Sequence, residues 1–142
     1  MAKMVIIVER GKGKRNFSCF APEAICGYVL AGYGASAREA MEDVRLALKE
    51  YQAMAAEKGE AFPDVELEFR FDIGAFFDYY PLDVTAVAKY IGMNASVLRQ
   101  YATSIRMPTQ PQIDKIRKGL EKLANDLGSG LMITQPVVSY LK

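Results

Sequence analysis

The sequence contains no histidine, only two cysteines and no long run of apolar residues. Without histidine, neither a Ser-His-Asp triad nor a thiolate–imidazole pair can exist, and the usual zinc-ligand sets cannot be assembled. Cys19 and Cys26 do not form a C-x-x-C pair. Because a free cysteine behaves mostly as a small hydrophobe, we interpret both as thiols without a chemical role. No metal site and no cofactor is expected.

The N-terminal segment, MAKMVIIVER, has an apolar core that covers only residues 4–8 and is followed directly by Glu9. That core is too short for the hydrophobic region of a signal peptide. A membrane span requires about 18 consecutive apolar residues, and no segment approaches that length. We therefore expect a cytoplasmic protein without membrane contact.

Charge is distributed unevenly along the chain. Residues 36–82 contain 5 basic and 11 acidic residues, a net charge of −6, whereas residues 83–142 contain 8 basic and 4 acidic residues, a net charge of +4. The basic C-terminal part can approach a polyanion, and the acidic middle can attract a basic partner.

Three strands are predicted before the first helix. The β-branched run at residues 4–8 indicates a strand covered on both faces, and Gly11 and Gly13 predict the turn that follows it. A second strand is expected at residues 17–21 and a third at residues 28–31. The third is expected to end at the Gly-Tyr-Gly sequence that comes next.

A long amphipathic helix and a fourth strand are predicted after these three. Ser36 and Glu39 match the capping box that begins a helix, and Gly59 lies where the apolar periodicity stops. From Val65 to Phe71, apolar residues alternate with charged ones, which is typical of a strand with one buried face. The predicted order is β-β-β-α-β, and the fold class is α+β. An aromatic segment at residues 73–82 is expected to pack the two parts of the chain together.

The C-terminal part has the pattern of a helix-turn-helix. Asp83 and Asn94 are predicted to cap two short helices, with Gly92 turning the chain between them. Ala88 is small enough for the crossing point of the two helices. Thr109 then begins a longer helix through a capping box with Gln112. Domains are therefore predicted at residues 1–80 and 81–130, followed by an apolar tail at residues 131–142 whose role is not evident.

The second helix of this pair carries a polar stripe on the face opposite Leu98. Arginine and glutamine read guanine and adenine edges in the major groove, while serine and threonine suit phosphates or bases. Basic residues nearby would contact phosphates. The predicted DNA-binding residues are Asn94, Ser96, Arg99, Gln100, Thr103, Lys89 and Arg106. The alternative is the exposed face of an ordinary helical hairpin.

Residues 84–127, including the run IRMPTQPQIDKI after the second helix, resemble the lambda-repressor-like helix-turn-helix family. This helix-turn-helix follows the β-β-β-α-β order and the GYGASAREAMEDV start of the long helix. With these three features, the chain resembles the HicB family of antitoxins. That resemblance implies a partial ribonuclease H-like domain followed by an operator-binding domain. It also implies repression of transcription and neutralisation of a HicA-type messenger-RNA-cleaving toxin.

Such a toxin must hold RNA and should be basic, so acidic residues are its expected contacts. The predicted toxin-binding residues are Glu42, Asp43, Glu50, Glu66 and Glu68. The alternative is that these acids only keep the domain soluble. A second alternative for the whole chain is a transcription regulator that has no toxin partner and responds to a small ligand.

Two further expectations concern catalysis and assembly. We expect no enzyme activity. The alternative is a site for a divalent metal ion, in which Glu9 and Asp72 combine with Glu39 or Glu42 of the long helix. We expect a homodimer or a higher even oligomer, because one recognition helix covers only a few base pairs. The apolar residues of the last helix, from Ile113 to Leu127, and the tail are candidate dimer surfaces. Packing of that helix on its neighbours is the default interpretation.

Overall fold

The computed structural model of the chain describes residues 2–11, 16–130 and 132. In this part of the chain, strands form one sheet of order β3-β2-β1-β4. The antiparallel strands are β1 (Ala2–Arg10), β2 (Phe17–Phe20) and β3 (Ala31–Gly34). Helix α1 (Ala37–Glu57) then returns the chain to β4 (Val65–Phe71), which is parallel to β1. The predicted β-β-β-α-β order and the α+β class are confirmed.

The first core lies between α1 and one face of the sheet. Ile6 and Val8 of β1 are fully buried there and are adjacent to Phe69 and Phe71 of β4. Side chains alternate along a strand, so the residues between them point to the other face. There Val5 and Ile7 are only half-buried, so the prediction that β1 is covered on both faces is wrong.

The third strand begins three residues later than predicted. Residues 28–31 mostly precede it, and the Gly-Tyr-Gly sequence that was expected to end it lies within it. A Cβ atom at Gly32 would be 2.5 Å from the backbone nitrogen of Val44, and one at Gly34 would be 2.7 Å from that of Ala40. The glycines are therefore explained by the close approach of α1 to β3 and not by a turn.

As far as residue 130, β4 is followed by the helices α2 (Ile73–Tyr79), α3 (Val84–Ile91), α4 (Ala95–Ala102) and α5 (Gln110–Gly128). Helix α2 occupies the aromatic segment, where no helix was predicted. It packs the two parts together as expected, because Ala75 and Tyr79 belong to the first core. Ile73 and Phe77, on the same helix, contact the second core, which α3, α4 and α5 form.

Polar contacts also join the sheet to the C-terminal helices. Asp72 caps α2 by accepting a 2.8 Å hydrogen bond from the backbone of Ala75, and it accepts another from the backbone of Arg10 at 3.2 Å. The Arg10 guanidinium in turn donates to the carbonyl of Ala102, at the end of α4, at 3.2 Å. Asp78 of α2 accepts a 2.9 Å hydrogen bond from the backbone of Ala37, at the start of α1.

Residues 12–15, which include part of the predicted first turn, lie outside the described residues, as do 131 and 133–142 of the apolar tail. Within the described ranges, no helix has the length and apolar character needed to cross a membrane.

Candidate nucleic-acid interface

Helices α3 and α4 are joined by a sharp turn at Gly92. This residue has φ of +75°, in the left-handed region, and its backbone N–H donates to carbonyl groups of Ala88 and Lys89. Glycine adopts this conformation without the steric cost that a Cβ atom imposes. Ala88 is completely buried where the two helices meet. The small residue and the turning glycine thus lie where the helix-turn-helix pattern predicts them.

A small apolar core fixes the two helices relative to α5. Val87, Leu98, Tyr101 and Ile116 are buried together with Ala88, and Ile91 and Met93 pack against them. The Tyr101 hydroxyl lies within the core and hydrogen-bonds the side chain of Gln112. Leu98 and the alanine crossing point are therefore structural, and α4 can present only its opposite face to a partner.

That opposite face carries the predicted polar stripe. Ser96 and Arg99 are exposed, and Gln100 is partly exposed. The Arg99 guanidinium donates a 2.9 Å hydrogen bond to Oγ1 of Thr85 near the start of α3, which leaves its other N–H groups for a ligand. These three side chains of the stripe, together with Thr85, can therefore contact one surface.

Two members of the predicted set have a structural role in this helix. Asn94 caps α4, its Oδ1 accepting a 3.1 Å hydrogen bond from the backbone of Val97. Thr103 follows the last turn, and its hydroxyl donates to the carbonyl of Arg99 at 2.9 Å. Both side chains hold the ends of α4 and have less capacity for base contacts than sequence position alone suggests.

Basic side chains are exposed on the elements before and after α4. Lys89 and Arg106 are exposed on α3 and on the loop after α4. Sequence reasoning missed Lys115 of α5, whose Nζ donates a 2.9 Å hydrogen bond to the carbonyl of Gly92. This contact places a positive charge at the turn itself and satisfies a carbonyl at the end of α3. Only the net positive charge of the C-terminal part pointed towards it.

The predicted toxin-binding acids do not form one surface. Glu42 and Glu50 are exposed on the outer side of α1. Asp43 is also exposed, but its Oδ2 accepts a 2.9 Å hydrogen bond from the backbone N–H of Tyr33 in β3. Glu66 and Glu68 are next to Lys3 and Val5 in the β1–β4 register, so they point away from the face that α1 covers.

The imagined carboxylate site is not assembled among the described residues, where no three histidine, cysteine, aspartate or glutamate side chains could hold a metal ion. Asp72 is engaged with two backbone N–H groups. Burial of its carboxyl group raises its pKa above the ordinary value, and these hydrogen bonds and the charge of Arg10 oppose that shift only in part. Its environment is that of a half-buried helix cap.

Comparison with protein-family models, with curated proteins and with solved structures gives no significant match to this chain.

Proposed function

We propose that the chain is a HicB-like antitoxin that binds operator DNA as a transcriptional repressor and neutralises a HicA-type messenger-RNA-cleaving toxin. The observation that carries the DNA-binding part is the α3–Gly92–α4 unit, whose second helix exposes Ser96, Arg99 and part of Gln100. A helix held in this way, with its apolar side buried and a polar side free, has the form that enters a major groove.

The electrostatics support the same part of the proposal. Exposed Lys89, Arg106 and Lys115 lie on elements that surround or adjoin α4. Lysine and arginine side chains that neutralise phosphates supply most of the sequence-independent affinity for DNA. In this proposal they hold the duplex, while Arg99 and Gln100 read base edges.

The toxin-binding part of the proposal rests on α1 and on the family resemblance. Glu42 and Glu50 are exposed there, and Leu46 between them is 54% exposed. Acidic residues around an exposed apolar side chain suit a basic protein partner, because opposite charges speed encounter and the apolar contact supplies affinity. The β-β-β-α-β sheet behind α1 supports a partial ribonuclease H-like domain.

A regulator without a toxin partner is the second candidate. Two observations favour it: the acids lie on opposite sides of the sheet, and Asp43 is committed to Tyr33. In that case the DNA-binding function is unchanged and the acids of α1 act only on solubility.

The deciding experiment for DNA binding is selection of genomic fragments on the purified protein, followed by gel shifts over a range of salt concentrations. We expect specific binding, with a logarithm of the binding constant that falls linearly with the logarithm of the salt concentration. Absence of binding at low salt would refute the proposal.

The toxin is tested by co-expressing the chain with the product of the neighbouring reading frame. The antitoxin is supported if the two proteins form a complex, and if changing both Glu42 and Glu50 to lysine lowers the association rate while DNA binding is retained. A neighbour that neither binds nor inhibits growth when expressed alone supports the stand-alone regulator.

A further inference from the structure

The outer edge of β4 is open in the described part of the chain. β4 is the last strand of the sheet order and pairs with β1 on one side only. Its apolar residues Leu67, Phe69 and Phe71 pack against the first core but are only partly buried. A long open edge with half-buried aromatic side chains is a template for another strand.

The backbone direction of this edge can be assigned from one hydrogen bond. The backbone N–H of Asp72, directly after β4, donates to the carbonyl of Val8 at 2.9 Å. The backbone hydrogen-bonding groups of residue 72 are therefore directed towards β1. Hydrogen-bonding groups alternate in direction along a strand. The even-numbered residues of β4 therefore bond to β1, and the N–H and C=O groups of Leu67, Phe69 and Phe71 point outwards.

The side chains of β4 match a second copy of the same strand in antiparallel orientation. If Phe69 of one copy faces Phe69 of the other, both residues present outward N–H and C=O groups, as a hydrogen-bonded antiparallel pair requires. Glu68 of each copy then lies opposite Arg70 of the other. Leu67 lies opposite Phe71, so the half-buried apolar residues cover one another.

The charges select this register. Glu68 and Arg70 of one chain already lie on the same face, 3.8 Å apart, so both are positioned at the exposed side of the strand. A register displaced towards the start of β4 would put Glu66 opposite Arg70 but Glu68 opposite Glu68. Like charges directly opposite each other destabilise an antiparallel pair.

We propose that β4 is a self-association surface, on which two copies pair antiparallel about Phe69 and join their sheets into one. The two Glu68–Arg70 pairs and the shared apolar face provide the recognition. This inference is independent of the DNA and toxin proposals, because it concerns the free protein.

The test is a charge swap followed by sedimentation equilibrium over a micromolar concentration series without DNA. Glu68→Arg and Arg70→Glu each place like charges opposite one another, and each should raise the dimer dissociation constant at least about tenfold. The double variant E68R/R70E restores both pairs and should return the constant close to that of the wild type. Circular dichroism checks that every variant is folded.

Glu57→Arg is the matched control, because it makes the same charge change at an exposed position of α1 instead of on β4, and it should leave assembly unchanged. A wild-type protein that remains monomeric overturns the proposal, as do single swaps that leave the dissociation constant unaltered. Dissociation by E66R but not by E68R would overturn the register. If DNA binding fails while the swap behaves as stated, only the DNA proposal is lost.

Discussion

The carboxylate of Asp43 accepts a 2.9 Å hydrogen bond from the backbone N–H of Tyr33. Tyr33 belongs to β3, the outer strand at the end of the sheet opposite β4. A side chain of α1 thus occupies an N–H group that a strand at the edge would otherwise leave open. The helix thus blocks this end of the sheet at Tyr33, whereas among the described residues no strand pairs with the outer side of β4.

Replacing Asp43 with lysine should lower the free energy of unfolding by about 0.5–1.5 kcal/mol, the usual contribution of one hydrogen bond. Asp43→Asn should lose less, because its side-chain oxygen still accepts the hydrogen bond. Glu42→Lys, on the same helix without such a partner, serves as the control in urea denaturation. Equal stability of all three variants would mean that the bond contributes nothing.

Arg99→Ala and Gln100→Ala should each weaken specific DNA binding by about 1–3 kcal/mol, the value of a lost base contact. Discrimination between the operator and a scrambled duplex should fall with it. Fluorescence anisotropy at fixed salt measures both quantities. Lys49→Ala removes one positive charge from exposed α1 and should have little effect. A loss that is equal on operator and scrambled DNA would show that these residues contact only the backbone.

Gly32→Ala should destabilise the protein by about 1–3 kcal/mol or more, as overpacking does. The added methyl group would lie 2.7 Å from the carbonyl oxygen of Ala40, and backbone cannot move aside as a flexible side chain can. Gly128→Ala is the matched control, because nothing lies within 4 Å of the added atom and alanine favours the helix. Thermal and urea denaturation distinguish the two, and a neutral Gly32→Ala variant would contradict the close approach of β3 and α1.

Asp72 should give the stability of the protein a specific dependence on pH. Burial raises its pKa in the folded protein above the ordinary 3.8, so the folded state holds its proton more tightly than the unfolded state does. Its contribution to stability is complete below the unfolded pKa and decreases as the pH rises through the folded value. Asp72→Asn removes this dependence and can still accept the cap hydrogen bond.

The wild type should therefore gain stability relative to Asp72→Asn as the pH is lowered towards 3.8 from neutrality. Urea titrations of both proteins at several pH values measure the difference. A difference that changes in the opposite direction would mean that the hydrogen bonds to Asp72 outweigh its burial.

We expect no cleavage of RNA, DNA or their hybrid with magnesium or manganese present. Asp72 is engaged by backbone N–H groups, and Glu9 is exposed near the end of β1. Incubation of labelled substrates with the purified protein measures this. Metal-dependent cleavage that disappears in Glu9→Ala or Asp72→Ala would refute the expectation.

Local signals predicted the elements whose residues determine their own structure. Asp83 and Asn94 cap α3 and α4 as predicted, and Glu39 and Gln112 complete the capping interactions of α1 and α5. The alternation in β4 likewise predicted its bounds. Such features depend on neighbours within a few residues, so the sequence is sufficient.

Features that depend on distant neighbours could not be predicted. The glycines of β3 have the composition of a turn, and only the contact with α1 explains them as strand residues. Glu66 and Glu68 lie on the face of the sheet opposite α1 because of the register of β4 with β1. The number and sign of the charges in the sequence do not indicate this register. For the same reason, the contacts of Arg10 with Asp72 and Ala102 lie beyond sequence reasoning.

Helix α2 has side chains in contact with both cores, and this limits where the chain can be divided into fragments that fold. A fragment beginning at residue 81 would lack Ile73 and Phe77 and would expose part of the second core, against which both pack. Removing α2 from the other side would uncover the apolar residues that Ala75 and Tyr79 cover. Helix α2 therefore contributes side chains to both hydrophobic cores. The two halves should melt in one cooperative transition, and a C-terminal fragment that folds by itself should begin no later than residue 72.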